Sequence, residues 1–253
     1  MKRLMTLLAL ALAVATSLSA QVPKRPGALN NFASDFQTIP VMGNVPGAGA
    51  VFQTYVALLN PTASAFAIQV SLYDAAGVKR DASITLAAGE VKTYQNFLDE
   101  VFHFVGGGAV TFKAPESAGG THNNRFIISA EVRTSGTRFS TTIPSLEFTG
   151  TSSRSFVAGV TADSNFRTNV GCFNQSDAAN RVKVTVFDKT GTQNIGSFDM
   201  NLPANAWLQT GVSFVVSDGY VRFEPEGAAV CYAVIVDNST ADGRFISAAE
   251  FQP

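Results

Sequence analysis

The chain has 253 residues and a formal net charge of −1, with 15% charged and 46% hydrophobic residues. This composition is too apolar for a disordered chain, and the near-neutral charge supplies no basic field for nucleic acid, so no nucleic-acid partner is expected. Two cysteines and two histidines are too few for a disulfide framework or a four-ligand zinc ribbon, and no cofactor is predicted.

The first twenty residues have the three parts of a secretory signal peptide. Lys2 and Arg3 are positive, Leu4 to Val14 form an almost purely apolar run, and small residues extend to Ala20. The apolar run is shorter than the ~20 residues that a membrane span needs. The sequence therefore predicts cleavage near Ala20. It also predicts a secreted or periplasmic mature chain, without a transmembrane span, in an oxidising compartment.

The mature chain reads as a series of short strands. Residues 21–36 are rich in Pro, Asn and Gly and are predicted to be a flexible leader. Beyond them, apolar and polar residues alternate at residues 68–72, 182–186 and 221–223, and a period of two indicates strands with one buried face. The one helical candidate, residues 96–102, is short. An all-β sandwich fold is therefore predicted.

The two halves of the chain align with each other. Residues 52–60 (FQTYVALLN) and 166–174 (FRTNVGCFN) share Phe, Thr, Val and Asn at the same positions, and further ordered matches follow along both halves. This self-similarity predicts an internal duplication: two tandem antiparallel β-sandwich domains at residues 37–148 and 155–251. A short polar linker at residues 149–154 joins them.

Four segments resemble a known repeat. They are FQTYVALLNPT at 52–62, LAAGEVKTYQNFLDEVF at 86–102, NFRTNVGCFNQSD at 165–177 and YAVIVDNSTADGRFI at 232–246. They are similar to a repeat of secreted bacterial proteins of uncharacterised role, in which tandem Ig-like β-sandwich units follow a signal peptide. The resemblance implies Ig-like architecture and export, and it implies no catalytic or ligand-binding residue.

Both cysteines fall in the second copy and are predicted to form a disulfide across it. Cys172 replaces Leu58 of the first copy, Cys231 replaces Ile128, and all four positions are in phase with the apolar face of their strands. Two core positions that both become Cys in an exported chain indicate contact. In the chain-entropy model, closing the separation of 59 residues stabilises the domain by about 4 kcal/mol.

Aspartates in glycine-containing turns are the candidates for calcium binding. Asp74 and Asp188 each follow an alternating strand and precede a glycine by three residues, which is typical of a hairpin turn. The loop from Asp237 to Asp242 is closer to a calcium loop. Its acidic residues do not alternate as in an EF-hand, so an Asx-type turn is the main interpretation. No metal site is assigned, and calcium at this loop stays open.

No catalytic residue is assigned either. A Gly-x-Ser-x-Gly elbow is absent, and Ser117 and His122 lie in a polar loop that the second copy lacks. His103 lies between apolar residues, where packing or a rim position is the simpler interpretation. Residues 106–108, three glycines, are interpreted as a hinge into a strand, since a phosphate-binding loop needs a following helix.

Four aromatic residues leave two functions open. Tyr55, Tyr73, Phe187 and Tyr232 fall out of phase with the inward residues of their strands. They therefore either pack between the domains or at a sheet edge, or form a surface for a ligand or partner. The leading hypothesis is a non-catalytic exported module that binds a protein, a glycan or its own copies at the cell surface, with ligand-binding residues unknown. The alternative is an exported hydrolase with loop-borne carboxylates, which would concentrate polar residues in a cleft of one copy.

Overall fold

The computed structural model describes residues 33–47, 50–116, 124–136, 139–146 and 152–250. Within these ranges the chain is all-β, with seventeen strands that pair only antiparallel and one short helix, which confirms the predicted fold class. The predicted signal peptide lies outside the described residues. Below, the first half means the described residues from 33 to 146, and the second half means residues 152–250.

The first half has eight strands and one helix, and its strands form two layers around one core. In chain order they are β1 (Phe36–Gly47), β2 (Ala50–Leu59), β3 (Phe66–Tyr73), β4 (Lys79–Leu86), β5 (Val91–Tyr94), α1 (Phe97–Phe102), β6 (Gly106–Lys113), β7 (Ile127–Thr134) and β8 (Ser140–Ile143). The strands pair in the order β4-β3-β6-β1-β2-β7-β8, and β5 pairs with β2. Strand β1 pairs with β6 up to Asn44 and with β2 from Asn44 onward, so it connects both layers.

The second half has nine strands in two sheets. They are β9 (Ser155–Ala162), β10 (Phe166–Asn174), β11 (Asn180–Phe187), β12 (Asn194–Leu202), β13 (Trp207–Gly211), β14 (Val216–Pro225), β15 (Ala229–Asp237), β16 (Gly243–Ser247) and β17 (Ala249–Glu250). The sheet orders are β12-β11-β14-β9-β17 and β13-β10-β15-β16. The first four strands of the five-stranded sheet match the order β4-β3-β6-β1 of the first half, and the four-stranded sheet matches β5-β2-β7-β8. Strand β17 has no counterpart among β1–β8. Among the described strands, no ladder joins the two halves.

Local contacts explain the turns and the helix. The backbone N–H groups of Ala76 and Val78 donate to Asp74 Oδ1, each at 2.9 Å, and Gly77 has the left-handed φ of +76° that closes this turn. The hairpin interpretation of Asp74 is therefore confirmed. The predicted helix forms over Phe97–Phe102 and buries Phe97.

Two sequence-based expectations about the chain path are wrong in detail. The predicted leader reaches residue 36, but Ser34 already pairs with Phe126, so the last leader residues belong to the sheet. The three glycines at 106–108 are no hinge, because they lie inside β6 and pair with β1. A Cβ atom at Gly107 would lie 2.6 Å from the Trp207 ring. The glycines therefore permit close approach within a strand.

The disulfide between Cys172 and Cys231 is present, as predicted. The two residues lie directly opposite each other on the neighbouring strands β10 and β15, with Cα atoms 4.1 Å apart. The bond therefore joins adjacent strands of one sheet instead of crossing between the two sheets. Leu58 and Ile128 face each other in the same way on β2 and β7. A disulfide fits an extracellular or periplasmic location.

The hydrophobic core of the first half extends into the second. Tyr232 of β15 is fully buried within the first half's core, and Trp207, Val234 and Phe245 pack against it. A separate core fills the second half. The outer face of the β13-β10-β15-β16 sheet thus closes one end of the first half. In the described part of the chain, no helix has the length and apolarity to cross a bilayer.

Candidate functional site

The two halves meet through side chains and backbone groups. The Trp207 backbone N–H donates to the Asp74 carbonyl oxygen at 3.1 Å, and the rings of Tyr73 and Phe173 lie 5.1 Å apart between centroids. At the other edge, Thr141 Oγ1 donates to a backbone carbonyl of β16 at 2.8 Å. These contacts fix the second half's sheet over the end of the first half.

A hydrogen-bond chain centred on the buried Tyr232 lies in the middle of this contact, and its outer members Trp207 and Gln209 are partly exposed. Trp207 Nε1 donates to the Tyr232 hydroxyl at 2.9 Å, and that hydroxyl donates to Gln209 Oε1 at 3.0 Å. Burial raises the pKa of the Tyr232 phenol far above its ordinary value, against a smaller lowering by the Trp207 bond. Tyr232 is therefore a neutral donor at any physiological pH. Gly171, directly across the ladder, leaves the space that the Tyr232 ring fills.

Beside this chain lies a partly open cavity of about 270 Å³, called the inter-half cleft below. Its apolar walls come from both halves. The first half contributes Val41, Met42, Val45, Phe52, Val132 and Ile143, and the second contributes Trp207, Val234 and Val236. At about 30 Å³ per water-sized group, the cleft has room for roughly nine non-hydrogen atoms of a ligand.

A few polar groups interrupt the apolar lining. Thr134, Ser140 and Thr141 line the first half's side, and Arg167 and Asn169 line the second half's side. The Arg167 side chain is partly exposed, so it lies where the cleft meets solvent. Among the described residues that line the cleft, none is Asp, Glu, His or Cys. A mainly apolar cavity with few polar groups is typical of a small-molecule site.

The loop considered for calcium closes on itself. Asp237 Oδ1 accepts from Ser239 N at 2.7 Å, from Ser239 Oγ at 2.6 Å and from Thr240 N at 3.1 Å. These bonds hold the pKa of Asp237 below its ordinary value, and they confirm the Asx-type turn. Across the ranges that the structure describes, no cluster of three or more His, Cys, Asp and Glu side chains could hold a metal ion.

The other residues considered for chemistry lie apart from the cleft. Ser117 and His122 fall outside the described residues. His103 is exposed and ends helix α1 with a left-handed φ of 49°, where its backbone N–H donates to the Asp99 carbonyl oxygen. His103 therefore has a rim position, one of the two interpretations that the sequence suggested.

The out-of-phase aromatic residues divide into two groups. Tyr73 and Tyr232 pack between the halves, as the packing interpretation expects. The guanidinium carbon of Arg133 lies over the Tyr55 ring, 3.7 Å from the ring centroid. Phe187 stacks on Tyr220 with centroids 4.6 Å apart and ring planes 9° from parallel, so each ring has one face against the other.

The cleft was not predicted from the sequence, although one signal of a covered face was available. By strand register, Trp207 and Tyr232 stand where the first half has Val91 and Ser129, and Val91 is 60% exposed. Large aromatic residues at strand positions that are solvent-facing in the first half indicate that this face of the second half is covered. Only the three-dimensional arrangement shows that the first half of the same chain covers this face.

Comparison with known proteins adds no relative from which a function could be transferred. No family model matches the chain, and no curated protein matches it. The function is therefore argued from the chain's own contacts and chemistry.

Proposed function

We propose that this chain is an exported, non-catalytic binding module of two duplicated Ig-like β-sandwich domains, and that the inter-half cleft is its ligand site. The cleft carries the proposal, because it is a mainly apolar cavity of about 270 Å³ to which both halves contribute walls. The signal-peptide pattern and the disulfide support export. The matching strand orders of the two halves support the duplication.

The cleft chemistry favours binding over hydrolysis. A glycosidase-type reaction needs two carboxyl groups about 5–9.5 Å apart across the substrate, and the described lining residues include no Asp or Glu. Burial of apolar ligand surface in such a cavity contributes about 25 cal/mol per Å². Among the described residues, the alternative of an exported hydrolase rests on surface aspartates such as Asp218 and Asp242, and Asp237 beside them accepts hydrogen bonds from its own turn.

A small apolar ligand also has more support than a glycan or a second copy. Sugar stacking needs an open aromatic face, and Phe187 and Tyr220 turn one face toward each other. Docking of another copy in the manner of the two halves would use the outer face of β2 and β7. That face carries Glu131 and Arg133, an ion pair at 3.2 Å, where the second half has Val234 and Val236.

Saturation-transfer NMR with toluene tests the proposal on the mature chain. Toluene is small enough for the cleft, and we expect saturable binding to the wild type. Val132→Phe, which projects a larger side chain into the cleft, should abolish binding. Val215→Phe is the matched control, because Val215 is 77% exposed and lies outside the cleft; it should bind as the wild type does.

Thermal unfolding of each variant shows that it is folded, since overpacking alone can cost about 1–3 kcal/mol. Two results would contradict the proposal. One is the absence of saturable binding to the wild type. The other is binding that a folded Val132→Phe leaves unchanged.

A further inference from the structure

We infer that the ligand class of the inter-half cleft is a small amphipathic monoanion: an alkyl carboxylate of about eight carbons, with its tail between the apolar walls and its carboxylate on Arg167. The inference rests on the proposed function and specifies the ligand of the same site. Three observations carry it: the position of Arg167, the charge around it and the volume of the cavity.

Strand register places Arg167 on the sheet face that is turned toward the first half. It lies on β10, opposite Val236 of β15, and alternates with the buried, inward Thr168 and Val170. Arg167 therefore points from the same sheet face as Asn169, toward the first half and into the cleft lining. The guanidinium is the cationic group of that lining among the described residues.

The surroundings leave this cation available for an anion. Arg167 Nη1 donates to Asn238 Oδ1 at 3.0 Å, which orients the side chain through a neutral group. In the part of the chain that the structure describes, no carboxylate lies within ion-pair distance of Arg167. The nearby Asp237 carboxylate accepts bonds from its own turn. A guanidinium fork with free N–H groups binds a carboxylate with two parallel bonds.

The cavity volume sets the length of the tail. Room for roughly nine non-hydrogen atoms corresponds to a chain of about eight carbons when the carboxylate oxygens lie at the solvent-facing mouth. Within that length, each further buried methylene should tighten binding about fourfold. Longer chains project into water, so their affinity should stop rising.

The test is a titration that uses Trp207 as its reporter, since it is the only Trp in the chain and lines the cleft. Octanoate, 1-octanol and octylamine share one tail and differ in charge near pH 7. We expect octanoate to bind the wild type about tenfold more tightly than 1-octanol, and octylamine to bind most weakly. Added salt should reduce the octanoate preference.

Arg167→Gln should remove the preference for octanoate and leave 1-octanol binding unchanged. Arg181→Gln is the matched control, because Arg181 is exposed on β11 and pairs with Glu226 outside the cleft; it should keep the preference. If 1-octanol binds and octanoate binds no more tightly, or if Arg167→Gln keeps the preference, the inference is overturned while the proposed function stands. If none of the three binds while toluene does, the inference is overturned and the proposed function stands; if toluene does not bind either, the proposed function fails with it.

Discussion

Removal of the Tyr232 hydroxyl group tests the contact that positions the cleft. In Tyr232→Phe the ring still fills its buried site, but Trp207 Nε1 loses its acceptor and Gln209 Oε1 loses its donor, bonds of 2.9 and 3.0 Å. A buried donor without a partner costs about 1–3 kcal/mol. Trp207 and Gln209 are both partly exposed, so each can recruit water in place of the lost bond and the cost falls at the lower end of that range. We expect a loss of about 1 kcal/mol in the free energy of unfolding.

Urea unfolding followed by Trp207 fluorescence and by circular dichroism measures this loss. At about 2–4 °C per kcal/mol for a chain of this size, the melting temperature should fall by about 2–4 °C. Tyr55→Phe is the control, because the Tyr55 ring lies on a partly exposed face beneath Arg133; its stability should change by less than about 0.5 kcal/mol. A Tyr232→Phe variant as stable as this control would refute the role given to the hydrogen-bond chain.

Two further predictions concern the disulfide and the turn at the contact between the halves. The double variant Cys172→Leu, Cys231→Ile installs the pair that Leu58 and Ile128 form in the first half. It should lower the free energy of unfolding by up to about 4 kcal/mol, reduced by what the new apolar packing restores. Equal urea midpoints for the variant and the wild type would contradict this. For Asp74, burial raises its pKa, but the Arg80 guanidinium and the turn N–H groups outweigh burial and hold the pKa below its ordinary value. This contribution to stability is therefore complete above about pH 4 and lost as the pH falls through the lower folded pKa. Asp74→Asn should flatten the fall in stability below pH ~4, and an unchanged slope in acid titrations would show this wrong.

Patterns local to one strand predicted much of the fold. The alternation at residues 68–72 places Ile68, Val70 and Leu72 in the core, because one buried face imposes a period of two. The disulfide was predictable because Cys172 and Cys231 align with two apolar positions of the first half, Leu58 and Ile128. The neighbouring position of the two cysteines in one sheet was not predictable, because sequence periodicity does not say which strands are neighbours.

The candidate site depends on how the two halves are oriented, and local patterns do not contain this information. Tyr232 was correctly predicted to be out of phase, but its burial follows from the first half's position over β15. The same contact explains Gly107, which was misread as part of a hinge because the neighbouring Trp207 lies one hundred residues away in sequence. Arg167 showed no signal at all, because a lone arginine on a strand is ordinary until the cavity beside it is known.

The most direct test of the central claim is a crystal of the mature chain soaked in bromobenzene, with the bromine located by anomalous scattering. The account predicts a bromine peak inside the inter-half cleft, in contact with Val132, Val234 and Trp207. It also predicts that the peak disappears in Val132→Phe crystals. A cleft that stays empty, or is closed by side chains while bromine binds elsewhere, would contradict the claim that the site lies between the two halves.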